Sequence, residues 1–260
     1  MNPLLASALV IFVFMCLMFL IALWLKNNGV ADVGWGVGFM LVAWLTFFWF
    51  GNDRMHQKIV TFLVTIWGLR LTLYLAVRNW GEPEDFRYAN WRKEWGGSVV
   101  WRSFLQVFML QGFFMFINLL PVIVVNSSEE FYKSYKWLYP LGAAVWCIGF
   151  FFEAIGDKQM YEFKCSAKKH PHKKVMNKGL WRYTRHPNYF GEAAMWWGIF
   201  ILSIPSGMWY VSVLSPLVIT YLLLKVSGVT LLEKKYEGND EYSVYKRTTS
   251  AFFPMPPKQI

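Results

Sequence analysis

The sequence has little charge, few cysteines and none of the signatures of soluble nucleotide enzymes. Only 16% of its 260 residues are Asp, Glu, Lys or Arg, against roughly 25% in a soluble domain. The shortage is confined to long apolar runs, and the remaining charges crowd between them, which excludes an ordinary soluble globule. The three cysteines (Cys16, Cys147, Cys165) lie far apart, two of them in apolar stretches. Neither a disulfide framework nor a CxxC metal pattern results. There is no Walker loop, no G-x-S-x-G and no H-E-x-x-H. Gly34, Gly36 and Gly38 give G-x-G-x-G rather than G-x-G-x-x-G and lie inside an apolar run, a setting for close helix packing. The four histidines, His56, His170, His172 and His186, are too scattered to argue for a metal. No internal repeat or linker is visible, so one domain over 1–260 is expected.

What the chain does have is hydrophobic length. Apolar residues make up 56% and aromatics 20%, and mean hydropathy is positive. A helix needs about 20 mostly apolar residues to cross the hydrocarbon layer. Seven stretches approach that length, at 3–25, 29–50, 59–77, 101–125, 137–156, 192–206 and 209–232. The expected fold is therefore an all-α integral membrane protein of seven transmembrane helices. Ile204-Pro-Ser-Gly207 is a tight turn signal between the last two, which predicts a helical hairpin there. No basic region precedes the first stretch and no small-residue cleavage site follows it, so it reads as a retained span.

The net charge of +10 reads as topology rather than as nucleic-acid binding. Connections after the odd-numbered spans, with the C-terminal tail, hold 19 Lys and Arg, and the other side holds four (Arg54, Lys58, Lys133, Lys136). The positive-inside rule then puts the C-terminus in the cytoplasm and the N-terminus outside. The segment 157–185 also carries Lys168, Lys169, His170, His172, Lys173, Lys174 and Lys178. Composition favours an anchor to anionic headgroups there. The alternative is a cradle for a polyanionic cofactor.

Charge inside a span is costly and marks a candidate site. Asp32 stands in the first turn of the second span, where a carboxylate also suits helix capping. Arg70 lies in the third span, with Tyr74 one turn on. Glu153, Asp157 and Tyr161 share one helix face at the end of the fifth. The richest stretch is Gly-Leu-Trp-Arg-Tyr-Thr-Arg-His-Pro-Asn-Tyr-Phe-Gly-Glu at 179–192. It brings Arg182, Arg185, His186, Asn188, Tyr189 and Glu192 to the mouth of the sixth span. A mere entry turn needs no such assortment. Arg forks suit phosphate and carboxylate, and a helix N-terminus favours anions.

The pattern G-x-x-R-x-x-R-H-P-x-Y-x-G-E at 179–192 is similar to a signature shared by membrane sterol reductases and isoprenylcysteine methyltransferases. Asp-x-x-Trp-Gly at 32–36, Arg87-Tyr88, Glu153 with Asp157, and the tail from Leu-Leu-Glu-Lys-Lys-Tyr to Phe-Phe-Pro lean one way. Together they resemble a bacterial membrane branch of the steroid 5-alpha-reductase family. The resemblance implies an enzyme of the bacterial inner membrane that binds NADPH from the cytoplasmic side. It implies hydride transfer to the 4,5 double bond of a 3-oxo-4-ene steroid, with enolate charge at the 3-carbonyl stabilised by a hydrogen-bond donor. An apolar, steroid- or sterol-like substrate enters from the bilayer, and no nucleic acid or protein partner is expected.

By position, Asn188 and Glu192 match the family's cofactor segment and Asp157 an acidic cofactor residue. Lys164 and Lys174 stand where the animal enzymes have Arg, and Glu153 replaces an Asn. Arg70 and Tyr74 match an Arg and a Tyr of the third span. The resemblance also implies cofactor contacts for Asn79, Arg87, Arg182, Arg185, His186, Tyr189, Glu233 and Tyr245. The carbonyl-polarising pair is Asp32 with Tyr74, or with Tyr88, while Trp35 and Trp67 line the substrate. The rival is an S-adenosylmethionine-dependent membrane methyltransferase built on the same Arg-His-Pro turn. A transporter would show broken spans in paired positions, and none is visible in the sequence.

Overall fold

A computed structural model describes residues 1–129, 132–169, 175–226 and 228–258. It is all-α, and its residues fall into two compact units. Unit 1 is Met1–Lys136 with Ser203–Ser215, and unit 2 is Trp137–Leu202 with Pro216–Ile260.

Unit 1 begins with α1 (Pro3–Leu25), whose start is set by Pro3 in the first turn and by the Asn2 side chain accepting from the Leu4 N–H. It continues with α2 (Val30–Phe50) and α3 (Met55–Asn79). The glycines of α2 let these helices touch by their backbones. A Cβ on Gly36 would stand 2.3 Å from the Gly68 carbonyl of α3, and Gly34 and Gly38 face Met18 of α1 and Met115. Inside that contact Phe39 meets Trp67 edge-on, with centroids 5.0 Å apart. The far ends of α2 and α3 are tied by a buried amide. Asn126 donates to the Ala43 carbonyl and to the hydroxyls of Thr46 and Thr61. With no water to satisfy them, such groups pair within the protein.

The connection after α3, which hydropathy alone marks as a loop, contains α4 (Phe86–Trp95), capped by the Asp85 side chain accepting from the Arg87 N–H. The chain then passes through α5 (Val99–Arg102), a π-helical stretch (Ser103–Met109) and α6 (Leu110–Ser127). Phe19 of α1 packs on Phe104 and Phe108 of the π-helical stretch. Where the chain returns to unit 1 at Ser203, a turn at Ile204–Ser206 closes on Gly207 at φ 83 and leads to α9 (Trp209–Ser212).

Unit 2 holds α7 (Leu138–Lys169), α8 (Pro187–Ser203, its last residue in unit 1), α10 (Leu214–Tyr221, which begins in unit 1), α11 (Val229–Glu233) and α12 (Asp240–Thr248). Two expectations are corrected here. First, α7 continues 13 residues past the apolar stretch that ended at 156. Hydropathy locates the edge of lipid, but Gln, Met, Glu and Lys are good helix formers and carry the helix on. Second, the span expected at 209–232 is present as the helical stretch Trp209–Glu233, but it is not uniform. It is split into α9, α10, a π-helical stretch (Leu222–Val226) and α11. Pro216 has no N–H for the Ser212 carbonyl, which breaks the ladder there.

Among the described residues, six helical stretches are long and apolar enough to cross a membrane: Pro3–Leu25, Val30–Phe50, Met55–Asn79, Phe86–Ser127, Leu138–Ser166 and Trp209–Glu233. The remaining expected span became α8. It starts five residues before 192, at Pro187, and has 17 residues. At 1.5 Å per residue that is about 26 Å, short of the ~30 Å hydrocarbon core.

Candidate active site

The first polar cluster lies in unit 1. Asp32 is in the first turn of α2, but the N-cap is Gly29 and makes no side-chain cap bond. The carboxylate of Asp32 is used elsewhere. Its Oδ2 accepts from the Arg87 guanidinium at 2.9 Å and its Oδ1 from the Tyr88 hydroxyl at 2.6 Å. The Tyr88 oxygen accepts in turn from Gln111 Nε2 at 3.1 Å. Tyr88 is only 3% exposed. Charge-assisted O–H···O⁻ bonds are short and strong, and this one has that length.

Two ties bring α4 to Asp32. Arg87 is gripped by Asp85, whose Oδ1 accepts from both its backbone N–H and its Nε. Burial pushes the Asp85 carboxyl up, yet the hydrogen bonds and charge of Arg87, with Arg78 nearby, bring it below its ordinary value. Glu84 does the same for the loop between α1 and α2. It accepts from the Asn28 N–H at 2.7 Å and pairs with Arg92 of α4 at 2.9 Å. Asn28 Nδ2 reaches Ser103 in the π-helical stretch at 3.0 Å.

Tyr88, one of the two tyrosines expected to pair with Asp32, is bonded to it in the structure. The Tyr74 ring lies near the guanidiniums of Arg70 and Arg78, at 5.9 and 5.7 Å. Those three residues are spaced by four along α3. Asn79 accepts from Arg78 Nε at 3.2 Å. Trp35 and Trp67 both pack on Phe39, at 5.3 and 5.0 Å, and Trp67 is buried.

The second cluster lies in unit 2, where α8 presses on α7. A Cβ on Gly191 would stand 2.4 Å from the Glu153 nitrogen, and one on Gly156 would be 3.1 Å from Pro187. That approach buries Glu153 and Asp157. Asn188 Nδ2 donates to Asp157 Oδ1 at 3.1 Å, while Asn188 Oδ1 is buried and has no hydrogen-bond partner among the described residues. Tyr189 stacks on His186 at 5.4 Å, and Glu192 is half-buried in the second turn of α8. Lys164 and Arg182 are exposed. Lys174, with His170, His172 and Lys173, lies outside the described residues.

The rest of the 179–192 turn is bound to the C-terminal segment. Arg185 Nε donates to Glu233 Oε1 at 2.8 Å, and its Nη1 donates to the carbonyls of Lys246 and Thr249. His186 Nε2 lies 3.3 Å from the same Glu233 oxygen, and Lys246 pairs with Oε2 at 3.2 Å. Burial lowers the His186 pKa more than Glu233 raises it. The Tyr245 hydroxyl donates to the Trp181 carbonyl. Burial pushes the Tyr245 phenol up, which keeps that donor protonated.

Sequence reasoning missed several members of these clusters, among them Asp85 and Gln111. Asp85 carries only a capping signal before α4. Gln111 is a lone amide inside an apolar run, and the one available signal was that a polar side chain at such a depth needs a partner. Its Oε1 is also buried without a hydrogen-bond partner among the described residues.

These helices and buried polar clusters define an all-α, multi-pass membrane protein. The chain belongs to the family described as "Protein of unknown function (DUF1295)", which it matches over residues 18–249. It is also similar to the uncharacterized protein C594.04c of Schizosaccharomyces pombe, at 22% identity over 97% of this chain and 80% of that protein. No solved structure matches the chain significantly.

Proposed function

We propose that the protein is a membrane oxidoreductase that uses NADPH to reduce the 4,5 double bond of a 3-oxo-4-ene steroid. The reading rests first on the likeness of 179–192 to the signature of membrane sterol reductases. The observation that carries it is the Asp32–Tyr88–Gln111 chain, a buried phenol held at 2.6 Å by a carboxylate and at 3.1 Å by an amide.

The residues of unit 2 fit the cofactor. Asn188 Oδ1 is a buried acceptor in want of a donor such as a carboxamide N–H, Asp157 and Glu192 can take ribose hydroxyls, and Arg182 and Lys164 offer cations for phosphate. When bound, a reduced nicotinamide supplies the hydride. The chain's own task is to polarise the enone. A phenol ordinarily titrates far above neutral pH and is a protonated donor there. Turning its proton from Asp32 to the steroid carbonyl leaves Asp32 still paired with Arg87, so no carboxylate is stranded. Gln111 keeps the phenol oxygen in place through that turn. A donor aimed at the developing enolate lowers the barrier by a few kcal/mol, and a proton from water delivered to the α carbon of that enolate completes the reduction. The substrate comes from the bilayer, and Trp35 and the Met- and Phe-rich spans give it apolar company.

The test is direct. Purified protein is mixed with NADPH and a 3-oxo-4-ene steroid, and the loss of cofactor absorbance is followed. Steroid-dependent NADPH consumption is expected. Absence of NADPH binding together with clear binding of S-adenosylmethionine would sink the reading in favour of a methyltransferase.

A further inference from the structure

Arg185, His186, Glu233 and Tyr245 would ordinarily be placed against a cofactor. Their partners in the structure argue for another task. Arg185 is 7% exposed, and its Nε and Nη1 already serve three acceptors: the Glu233 carboxylate and the carbonyls of Lys246 and Thr249. To fork a phosphate, this guanidinium would have to abandon three buried acceptors and leave the Glu233 carboxylate to His186 and Lys246 alone, which is costly. Glu233 is similarly committed, to Arg185 and His186 through one oxygen and to Lys246 through the other.

The backbone beside these groups explains what they hold. The Arg185 N–H donates to the Ser250 carbonyl at 2.8 Å, the Met255 N–H donates to the Tyr183 carbonyl at 2.9 Å, and Thr184 Oγ1 donates to the Phe252 carbonyl at 2.9 Å. The C-terminal segment is thus laid along 183–185 like a short strand, with the charged cluster as its rivet. Three residues further on comes Asn188, fixed by Asp157 and carrying the unpartnered Oδ1.

We propose that Arg185 and Glu233 are positioning residues: they fasten the C-terminal segment to the turn before α8, and act on a bound cofactor through the placement of Asn188 rather than by touching it. The inference rests on the cofactor reading above. It explains why a turn rich in donors leaves so few of them free, and it makes the tail a working part of the site.

The experiment uses the full chain in detergent, with NADPH and NADH as probes and amide hydrogen exchange over 250–255 as a second readout. The variants are Arg185→Lys, Glu233→Gln and Thr184→Val, the last of which removes, without touching a charge, the hydroxyl that donates to the tail carbonyls of Ala251 and Phe252 and accepts from the His186 N–H. Misplacing a contact by a fraction of an ångström is costly, so about tenfold weaker binding of both cofactors is expected, in step with faster exchange in all three variants. Loss confined to NADPH in Arg185→Lys, with tail exchange unchanged, would show direct contact with the extra phosphate and overturn the proposal. Faster exchange with unchanged affinity would also overturn it, leaving the cluster merely structural. If the unaltered protein binds neither nucleotide, the reductase reading falls and the positioning role with it. Exchange in Thr184→Val then judges the clamp alone.

Discussion

At the scale of single residues, the Tyr88 hydroxyl is the group on which the proposed chemistry turns. Tyr88→Phe keeps the ring and its packing on Trp91 but removes the donor. Steroid-dependent NADPH oxidation should fall by roughly a hundredfold or more, as when an oxyanion donor is lost, with cofactor affinity unchanged. A variant that retains full turnover would remove Tyr88 from the mechanism. Gln111 makes the opposite kind of test. Its Oε1 is a buried acceptor without a partner, and such a group costs about 1–3 kcal/mol. Gln111→Met should therefore leave the unfolding temperature unchanged or higher while slowing turnover, and equal losses of both would argue that Gln111 only packs. Asp32 was legible in the sequence because a carboxylate in a span demands a reason. Gln111 was not, since an amide is cheap enough to be overlooked, and only the fold brings it to Tyr88 from 23 positions away.

At the scale of elements, glycine decides how closely helices approach. The Gly36–Gly68 contact has no room for a methyl group, because the added carbon would lie 2.3 Å from a backbone oxygen that cannot swing aside. Gly36→Ala should destabilise unit 1 by about 1–3 kcal/mol or more, read as a lower unfolding temperature in detergent. An unaltered temperature would mean that α2 and α3 are not in backbone contact. The glycine pattern in the second span was visible as a packing signal, while its partner Gly68 was not. The helix ends were the least legible feature. The apolar stretch marked 137–156, yet α7 runs to Lys169, and 78–97 hid α4 altogether. Hydropathy reports the solvent around a helix, whereas its ends are set by caps such as Asp85 and by proline.

At the scale of the molecule, pH acts through buried titrating groups. His186 is held below its ordinary pKa by burial, so the unfolded chain binds its proton more readily than the folded one. Stability should then fall as pH drops below about 6.5, the ordinary histidine value. Asp85, also lowered, adds a loss only further down, below the ordinary carboxylate range. Unfolding temperatures measured from pH 7.5 to 5.5 should decline, and His186→Gln should flatten that decline; an equal slope in the variant would exonerate the histidine. The charge asymmetry of the connections bears on orientation. A reporter fused to the C-terminus is expected to be active only on the cytoplasmic side, and activity on the far side would reverse the topology.

The sequence by itself determined the solvent and the architecture class. Long apolar runs can satisfy their backbones in lipid only as helices, and that reading needs no knowledge of neighbours. It also singled out Asp32, Arg70, Glu153 and the 179–192 turn, because charge in or beside a span is never free. Which of these groups meet was decided by the tertiary structure alone. Asp32 finds Tyr88 rather than a residue of its own helix, and Arg185 turns to Glu233, 48 positions on, and to the tail beyond. A side chain's worth as donor or acceptor depends on what already occupies it, and occupancy is a property of neighbours brought close by folding.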